Sequence, residues 1–270
     1  VRLPSSEWEQ APSIVQFPVD SEEGVNRLEL PLLEKAGMLP LAMAFSKISQ
    51  KAGIPTSTVV LGGPFTIAGN LCKVEMLCRW MRKKPELTHR VLRLATEHIV
   101  DVVRRWIRTF GTERFMPHIW EPLASNQIIS PKQFETFVFP YQKEAHERIL
   151  AMGVKHILCH ICGEHNLNLP YWAQIPMGNP GIVSFGHEVD LTTAIKYFGD
   201  TCIIAGNIEP AVIQQGTRDQ VYEQCRIAIE KAKYCPRGFI LMAGCEVPPM
   251  APPHNLYMMK QAINDFGWYT

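Results

Sequence analysis

The residues with the most chemistry to offer are the imidazole and thiols of His156-Ile-Leu-Cys-His-Ile-Cys162. The run is apolar between its donors and reads as an extended strand. Side chains alternate along a strand, so His160 and Cys162 share one face while Cys159 points to the other. Two donors on one face can hold a common ligand. The other pairing, Cys159 with Cys162, is a Cys-x-x-Cys redox or zinc motif, a spacing that works better across a turn or at a helix start. A further thiol ends a second strand-like run, Phe239-Ile-Leu-Met-Ala-Gly-Cys245, before the sharp Glu-Val-Pro-Pro turn. One imidazole and two thiolates form a soft, zinc-selecting set, and three protein ligands leave a coordination position open, as a catalytic zinc requires. The competing reading of the same residues is buried thiols and a hydrogen-bonded histidine.

Bringing Cys245 to His160 and Cys162 needs a fold that gathers strand ends. Apolar, β-branched runs bounded by Gly, Pro and Asn predict strands over residues 58–61, 115–119, 156–162, 181–185, 202–206 and 239–244. Apolar spacing near 3.6 predicts helices over 71–82, 87–110, 131–152, 191–197, 218–233 and 255–266. Ser130-Pro131 and Thr217-Arg-Asp-Gln220 carry helix-start signals. Strands alternating with helices call for a parallel sheet, either doubly wound or closed into a barrel. No strand is followed by Gly-x-Gly-x-x-Gly, and Gly62-Gly63-Pro64 is too short to cradle a pyrophosphate, which favours an α/β (β/α)8 TIM barrel. A complete barrel needs two more strands. Residues 14–17 offer one weak candidate, and a chain that opens on Val1 is expected to lack the N-terminal portion. In such a barrel the strand ends meet at the mouth, where barrel enzymes place their catalytic groups.

Composition narrows the class. With 270 residues, 46% hydrophobic, the chain can bury one large core, so a single domain over 1–270 is expected. Lys and Arg number 27 against 26 Asp and Glu, leaving a formal charge of +1 and no global attraction for nucleic acid or anionic lipid. There is no apolar run of membrane-spanning length and no signal-peptide layout, so a cytoplasmic protein is expected. The eight cysteines are too scattered for a disulfide scaffold; Cys72, Cys78, Cys202, Cys225 and Cys235 read as reduced core thiols.

Longer strings extend the argument. His160-Ile-Cys-Gly163, Gly63-Pro-Phe-Thr-Ile-Ala-Gly69, Glu121-Pro-Leu-Ala-Ser125 with Ile129-Ser-Pro-Lys-Gln-Phe134, and Ala243-Gly-Cys-Glu-Val-Pro-Pro249 together resemble the uroporphyrinogen decarboxylase superfamily. More narrowly they resemble its zinc-dependent corrinoid (methylcobamide) methyltransferase branch, over residues 12–266. The resemblance implies a TIM barrel and a zinc ion held by His160, Cys162 and Cys245. It also implies methyl transfer between a corrinoid carried by a partner protein and a small-molecule donor or acceptor, such as a thiol. Metal-free decarboxylation of a tetrapyrrole is the alternative. Against it, the arginines that meet substrate carboxylates in the decarboxylases lie in an N-terminal segment absent here, and their Asn-Leu-Gly-His-Gly motif is replaced by Ala-Gly-Cys-Glu. A corrinoid-carrier docking module with a structural zinc is a third reading.

In relatives of the methyltransferase pattern an acidic residue precedes Val-Asp-Leu. Here the string is Gly186-His-Glu-Val-Asp-Leu191, so His187 or Glu188 is expected as a fourth ligand in the absence of substrate. Glu121, where the relatives carry Asp, could orient a substrate, accept a proton or cap a helix. His118 is expected to be structural. Asn126 and Asn207 sit past strand ends, where they could bind substrate or shape loops, and Trp120, Tyr171 and Trp172 could wall the mouth. The loops over 62–69, 121–130, 163–178 and 246–254, with Trp172 exposed, are expected to dock the corrinoid protein.

Overall fold

A computed structural model describes residues 1–5, 12–54, 59–113 and 115–269. The chain opens with two helices, α1 (Glu22–Asn26) and α2 (Leu39–Lys51), and then alternates. Strand β1 (Val60–Gly62) leads into α3 (Pro64–Cys72), α4 (Val74–Lys83) and the long α5 (Pro85–Phe110). Strand β2 (His118–Trp120) is followed by α6 (Pro131–Phe137) and α7 (Phe139–Ala151), and β3 (Leu158–Ile161) by α8 (Leu169–Trp172). Next come β4 (Gly181–Phe185), α9 (Leu191–Phe198), β5 (Cys202–Ile208), α10 (Pro210–Gln215) and α11 (Arg218–Ala232). Strand β6 (Phe239–Ala243) and α12 (Pro253–Phe266) close the chain. The six strands pair in sequential order, β1 through β6, and every pairing is parallel. That is the strand order of a (β/α)8 barrel, with six of its strands present among the described residues.

The two faces of the sheet differ as the alternation demands. Leu61, Ile119, Cys159, Ile161, Val183, Phe185 and Ile204 point outward and are buried beneath the helices. Burying each such large apolar side chain contributes about 1.5–3 kcal/mol. On the inner face Trp120, His160, Ser184 and Ala205 lie side by side in register across β2 to β5. Inner residues of the edge strands are open, with Val60 59% and Ile240 43% exposed. Helix α5 buries one stripe, including Val91, Ala95, Ile99, Val102 and Trp106. No helix among the described residues is long and apolar enough to cross a membrane.

Several boundaries differ from the sequence expectation for physical reasons. The expected helix over 131–152 is two helices meeting at Val138. Pro140 has no N–H, and its ring would strike the carbonyl one turn back, so it opens α7 instead of continuing α6. The expected helix over 71–82 breaks at Lys73, whose φ of 68° is left-handed. Its first part belongs to α3, which starts at Pro64 inside a string read as a loop. The strand over 156–162 is shorter because the loop 176–180 binds its beginning: Ile157 N–H donates to Met177 O, and the His156 ring bonds Pro180 O, both at 2.9 Å. The β2 ladder starts after Pro117, which has no N–H to give. Residue 58 lies outside the described residues. Residues 14–17 form no strand; Ser13 instead makes an isolated antiparallel bridge with Arg2.

Helix α3 begins with no side-chain cap of its own. Glu121, at the end of β2, supplies one across space. Its carboxyl accepts from the Phe65 N–H at 3.0 Å and from the Thr66 hydroxyl. A Cβ on Gly63 would overlap that carboxyl, so glycine is what lets the two elements close together. The Glu121 side chain is fully buried. Burial pushes its acid up to about 8, with the Thr66 and Phe65 bonds pulling the other way. The expectation of a mouth carboxylate handling substrate therefore gives way to the capping alternative.

A raised carboxyl stabilises the fold fully below the unfolded value near 4.5 and loses that contribution as pH rises towards 8. Glu121→Gln keeps an acceptor for Phe65 N–H and removes the ionisation, so in urea unfolding it should match the parent at pH 5 and exceed it at pH 8. Glu121→Ala should cost about 1–3 kcal/mol at pH 5, because it leaves a buried N–H unpaired. Equal losses from both variants would show that α3 needs the ionised carboxylate.

Candidate metal centre

The C-terminal ends of β3, β4 and β6 build the site. His160 is the third residue of β3, and its register partner on β4 is Ser184. The ring Nδ1 and the Ser184 hydroxyl lie 2.7 Å apart, which fixes the imidazole plane. The other nitrogen, Nε2, is buried with no hydrogen-bond partner among the described residues, in a side chain only 8% exposed. A buried ring nitrogen without a partner costs free energy unless something occupies its lone pair. Cys162 is the first residue past β3. Gly163 follows with φ +85°, a conformation that turns the chain sharply away. Cys245 stands two residues past β6, behind Gly244, whose N–H donates to Ile208 O at 2.7 Å.

The three donors converge although Cys245 follows β6, three strands along the sheet from the β3 that carries His160 and leads into Cys162. Their ligand atoms all lie within 4.8 Å of one another, and the Cys162 and Cys245 sulfurs are 3.6 Å apart. Two thiolates on a tetrahedral zinc are separated by about 3.8 Å, given a Zn–S distance of about 2.3 Å. The donor set therefore fits the ion. The thiols share a proton unequally: Cys245 is held well below the thiol range, first by the Cys162 donor and then by the nearby His160 ring. Cys162 is pushed up by that same bond, by burial, and by the charges of Cys245, Glu188 and Glu246. Releasing its proton calls for positive charge in the gap, which a divalent cation supplies.

Cys159 is fully buried on the outer face, in the core with Val183 and Phe185, and burial drives its thiol far upward. It has no access to the three donors. All eight cysteines are free; Cys72, Cys202, Cys225 and Cys235 are buried and Cys78 is partly so.

The loop after β4 brings the two expected fourth ligands to different places. The Glu188 carboxylate folds over Gly186, where a Cβ would strike it, and bears on Cys162. Its Oε2 is buried with no hydrogen-bond partner among the described residues. His187 turns outward, with Nδ1 3.5 Å from Glu188 and Nε2 4.0 Å from Glu209. Asn207 holds this loop, donating to Val189 O at 2.7 Å, and Asn126 bonds Asn168 at 2.9 Å, so both serve loop geometry. A cavity of about 340 Å³ lies beside the loop, lined by His187, Glu188, Asp190, Asn207, Glu209 and Lys231 among others.

Two expectations about aromatics are corrected or refined. Trp172 is not on an exposed rim: it is fully buried, and its indole N–H donates to His165 Nδ1 at 3.1 Å. Trp120 lies on the inner face beside His160 in register, 37% exposed. Sequence reasoning missed Ser184, Glu209 and Glu246. Aligning strand ends would have found the first two, since Ser184 sits one residue before the end of β4 and Glu209 follows β5 directly.

Comparison with known proteins agrees with this architecture. The methylated-thiol–coenzyme M methyltransferase of Methanosarcina mazei is 29% identical over 241 residues, covering 86% of this chain and 60% of that protein. The methylcobamide:CoM methyltransferase MtaA of Methanosarcina barkeri is 24% identical over 262 residues, covering 94% of this chain and 72% of that protein. The chain thus spans less than two thirds of the first relative's length. A solved methyltransferase structure from Methanosarcina mazei superposes with a TM-score of 0.80 at 23% identity, covering 95% of this chain and 73% of that one. The likeness in fold confirms the barrel architecture. The model of the uroporphyrinogen decarboxylase (URO-D) family matches residues 4–266, and the chain belongs to that family.

Proposed function

We propose that this chain is a zinc-dependent methyltransferase that moves a methyl group between a corrinoid carried by a partner protein and a small thiol. The observation that carries the reading is the convergence of a buried, unpartnered His160 Nε2 with the Cys162 and Cys245 sulfurs at the ends of two strands. The names of the relatives, methylcobamide:CoM and methylated-thiol–coenzyme M methyltransferase, support the corrinoid and thiol parts. A metal-free decarboxylase has no use for two thiols and an orphaned imidazole at the mouth.

A zinc ion held by His160, Cys162 and Cys245 would supply a Lewis acid that keeps an acceptor sulfur deprotonated and nucleophilic. The chain's own residues do the rest. Ser184 holds the imidazole in one orientation, so that Nε2 faces the sulfurs. Of the two expected fourth ligands, Glu188, whose charge bears on Cys162, is the one assigned here to the open position until a thiol displaces it. Gly163 turns the chain behind Cys162, and Gly244 lets the chain before Cys245 approach His187 N, where a Cβ would come within 3.0 Å. A corrin ring is far too large for a barrel interior, so the partner covers the mouth from outside and meets the acceptor there.

Metal analysis of the purified protein should find about one zinc per chain, and His160→Ala, Cys162→Ala and Cys245→Ala should each lose most of it. Cys159→Ala should retain it; equal loss there would refute the facing of the strand. Methylcobalamin with a thiol should be demethylated by the parent, read from the cobalt spectrum, and not by the three ligand variants. Zinc release to a chromophoric chelator should be faster in Glu188→Gln than in the parent and unchanged in His187→Gln. The reverse order would make His187 the ligand.

A further inference from the structure

The loops that follow the six strands hold residues 63, 121–130, 162–168, 186–190, 209 and 244–252, and none of these positions is lysine or arginine. Positive charge at this end of the barrel comes instead from α4. Arg79, Arg82 and Lys83 line a cavity of about 490 Å³ together with Cys78, Ile128 and Gln133. Spacings of three and four put the three cations on one face of the helix, opposite the buried Leu77, Trp80 and Met81. All three are exposed, and none has an ion-pair partner among the described residues. Nearby charges are already committed. Glu75, the cavity's one carboxylate, faces Lys73 at 4.0 Å, Lys84 pairs with Glu22, and Lys132 pairs with Glu135 at 3.2 Å. A place in the last turn suits Arg82 and Lys83 to the helix dipole but leaves Arg79 without a local reason. The other wall of the cavity is tied to the metal centre. Ile128, 40% exposed, belongs to the segment after β2, and that segment is laced to the one that carries Cys162. Asn126 N–H donates to Glu164 O at 2.7 Å and Leu167 N–H to Asn126 Oδ1 at 3.1 Å, while a Cβ on Gly163 would lie 3.4 Å from Gln127 Oε1. The cations therefore stand on the rim, one loop away from the thiol donors.

We infer that this flank of the rim docks the corrinoid protein, and that the partner meets it with an acidic face whose carboxylates pair with Arg79, Arg82 and Lys83 around Ile128. The inference rests on the methyltransferase reading. In a chain of formal charge +1, three uncompensated cations around one cavity are a local feature and not a general basicity. Guanidinium groups take carboxylates in paired, charge-assisted hydrogen bonds, and an apolar contact ringed by arginine is the usual make-up of a protein interface. A small anion is the poorer occupant. None of the lining residues is buried, so water screens each cation from a single ion, whereas a protein face excludes that water from all three together. Opposite charges on the two rims also speed and orient the encounter.

Methylcobalamin tethered through a flexible linker to hexaglutamate or to hexalysine gives the corrinoid an acidic or a basic carrier. With 2-mercaptoethanol as acceptor, the sulfur–carbon bond forms as the cobalt–carbon bond breaks; the bonding pair stays on cobalt and the thiol proton passes to solvent. The parent should use the hexaglutamate conjugate with kcat/KM about tenfold above that for free methylcobalamin at low salt, and the gain should vanish in about 0.5 M NaCl. The hexalysine conjugate should show no gain. Reversing the patch in Arg79→Glu/Arg82→Glu/Lys83→Glu should hand the advantage to the hexalysine conjugate, an outcome that a misfolded chain cannot produce. Arg108→Glu, in the last turn of α5 and exposed, should keep the parent's preference. Fluorescence anisotropy of labelled hexaglutamate and hexalysine, with no corrinoid or thiol present, should give the same order of binding. If the parent does not prefer hexaglutamate, or the preference survives the reversal, the inference is overturned, and turnover of free methylcobalamin leaves the methyltransferase reading standing. Inorganic phosphate that displaces labelled hexaglutamate at matched ionic strength would make the patch a small-anion site and also overturn it. If free methylcobalamin is not demethylated, the methyltransferase reading fails and the inference falls with it.

Discussion

The contact on which the site depends is the one between His160 and Ser184. Parallel pairing of β3 with β4 sets these residues opposite each other, and the 2.7 Å contact between Nδ1 and Oγ leaves Nε2 as the free end of the ring. The imidazole is thereby held by the sheet itself and not by a loop. A shift of one residue in that register would turn His160 into the outer core and Cys159 into the mouth. Packing of Ile161, Val183 and Phe185 beneath the helices opposes such a shift, because each would move from the buried face to the open one. The apolar core on one side of the sheet is thus what secures the polar chemistry on the other.

The two thiols depend on a different constraint. Cys162 and Cys245 are delivered by separate strands, and only the closing curvature of a barrel sheet sets their sulfurs 3.6 Å apart. Glycine stands beside each cysteine: Gly163 turns the chain after Cys162, and Gly244 permits the close approach of the β4 loop before Cys245. The result is a donor triad whose two sulfurs already stand near the separation of two ligands on a tetrahedral zinc, with a buried nitrogen that calls for a cation.

Much of this was legible in the sequence because it rests on periodicity. Strand alternation separates Cys159 from His160 and Cys162, and the matching strand-end position of Cys245 brings it to the same mouth. The alternation of strands with helices likewise led to the barrel. What stayed hidden depended on facts that no short window contains. Glu121 and Trp172 both look like mouth residues, yet one turns inward to cap α3 and the other packs on His165; the direction of a side chain at a strand end is decided by neighbours far away in sequence. Breaks in the helices at Lys73 and Pro140 reflect local backbone geometry that an apolar period does not register. Ser184 went unnoticed because a serine in a strand carries no chemical signal until its register partner is known.

The account stands on an open metal position bounded by three protein donors, and zinc-edge X-ray absorption of the full chain tests it most directly. Without added thiol the spectrum should fit two sulfurs at about 2.3 Å with nitrogen or oxygen neighbours, and with a small thiol the sulfur count should rise to three. A sulfur count that remains at two in saturating thiol, or a zinc sphere with no sulfur at all, would contradict it.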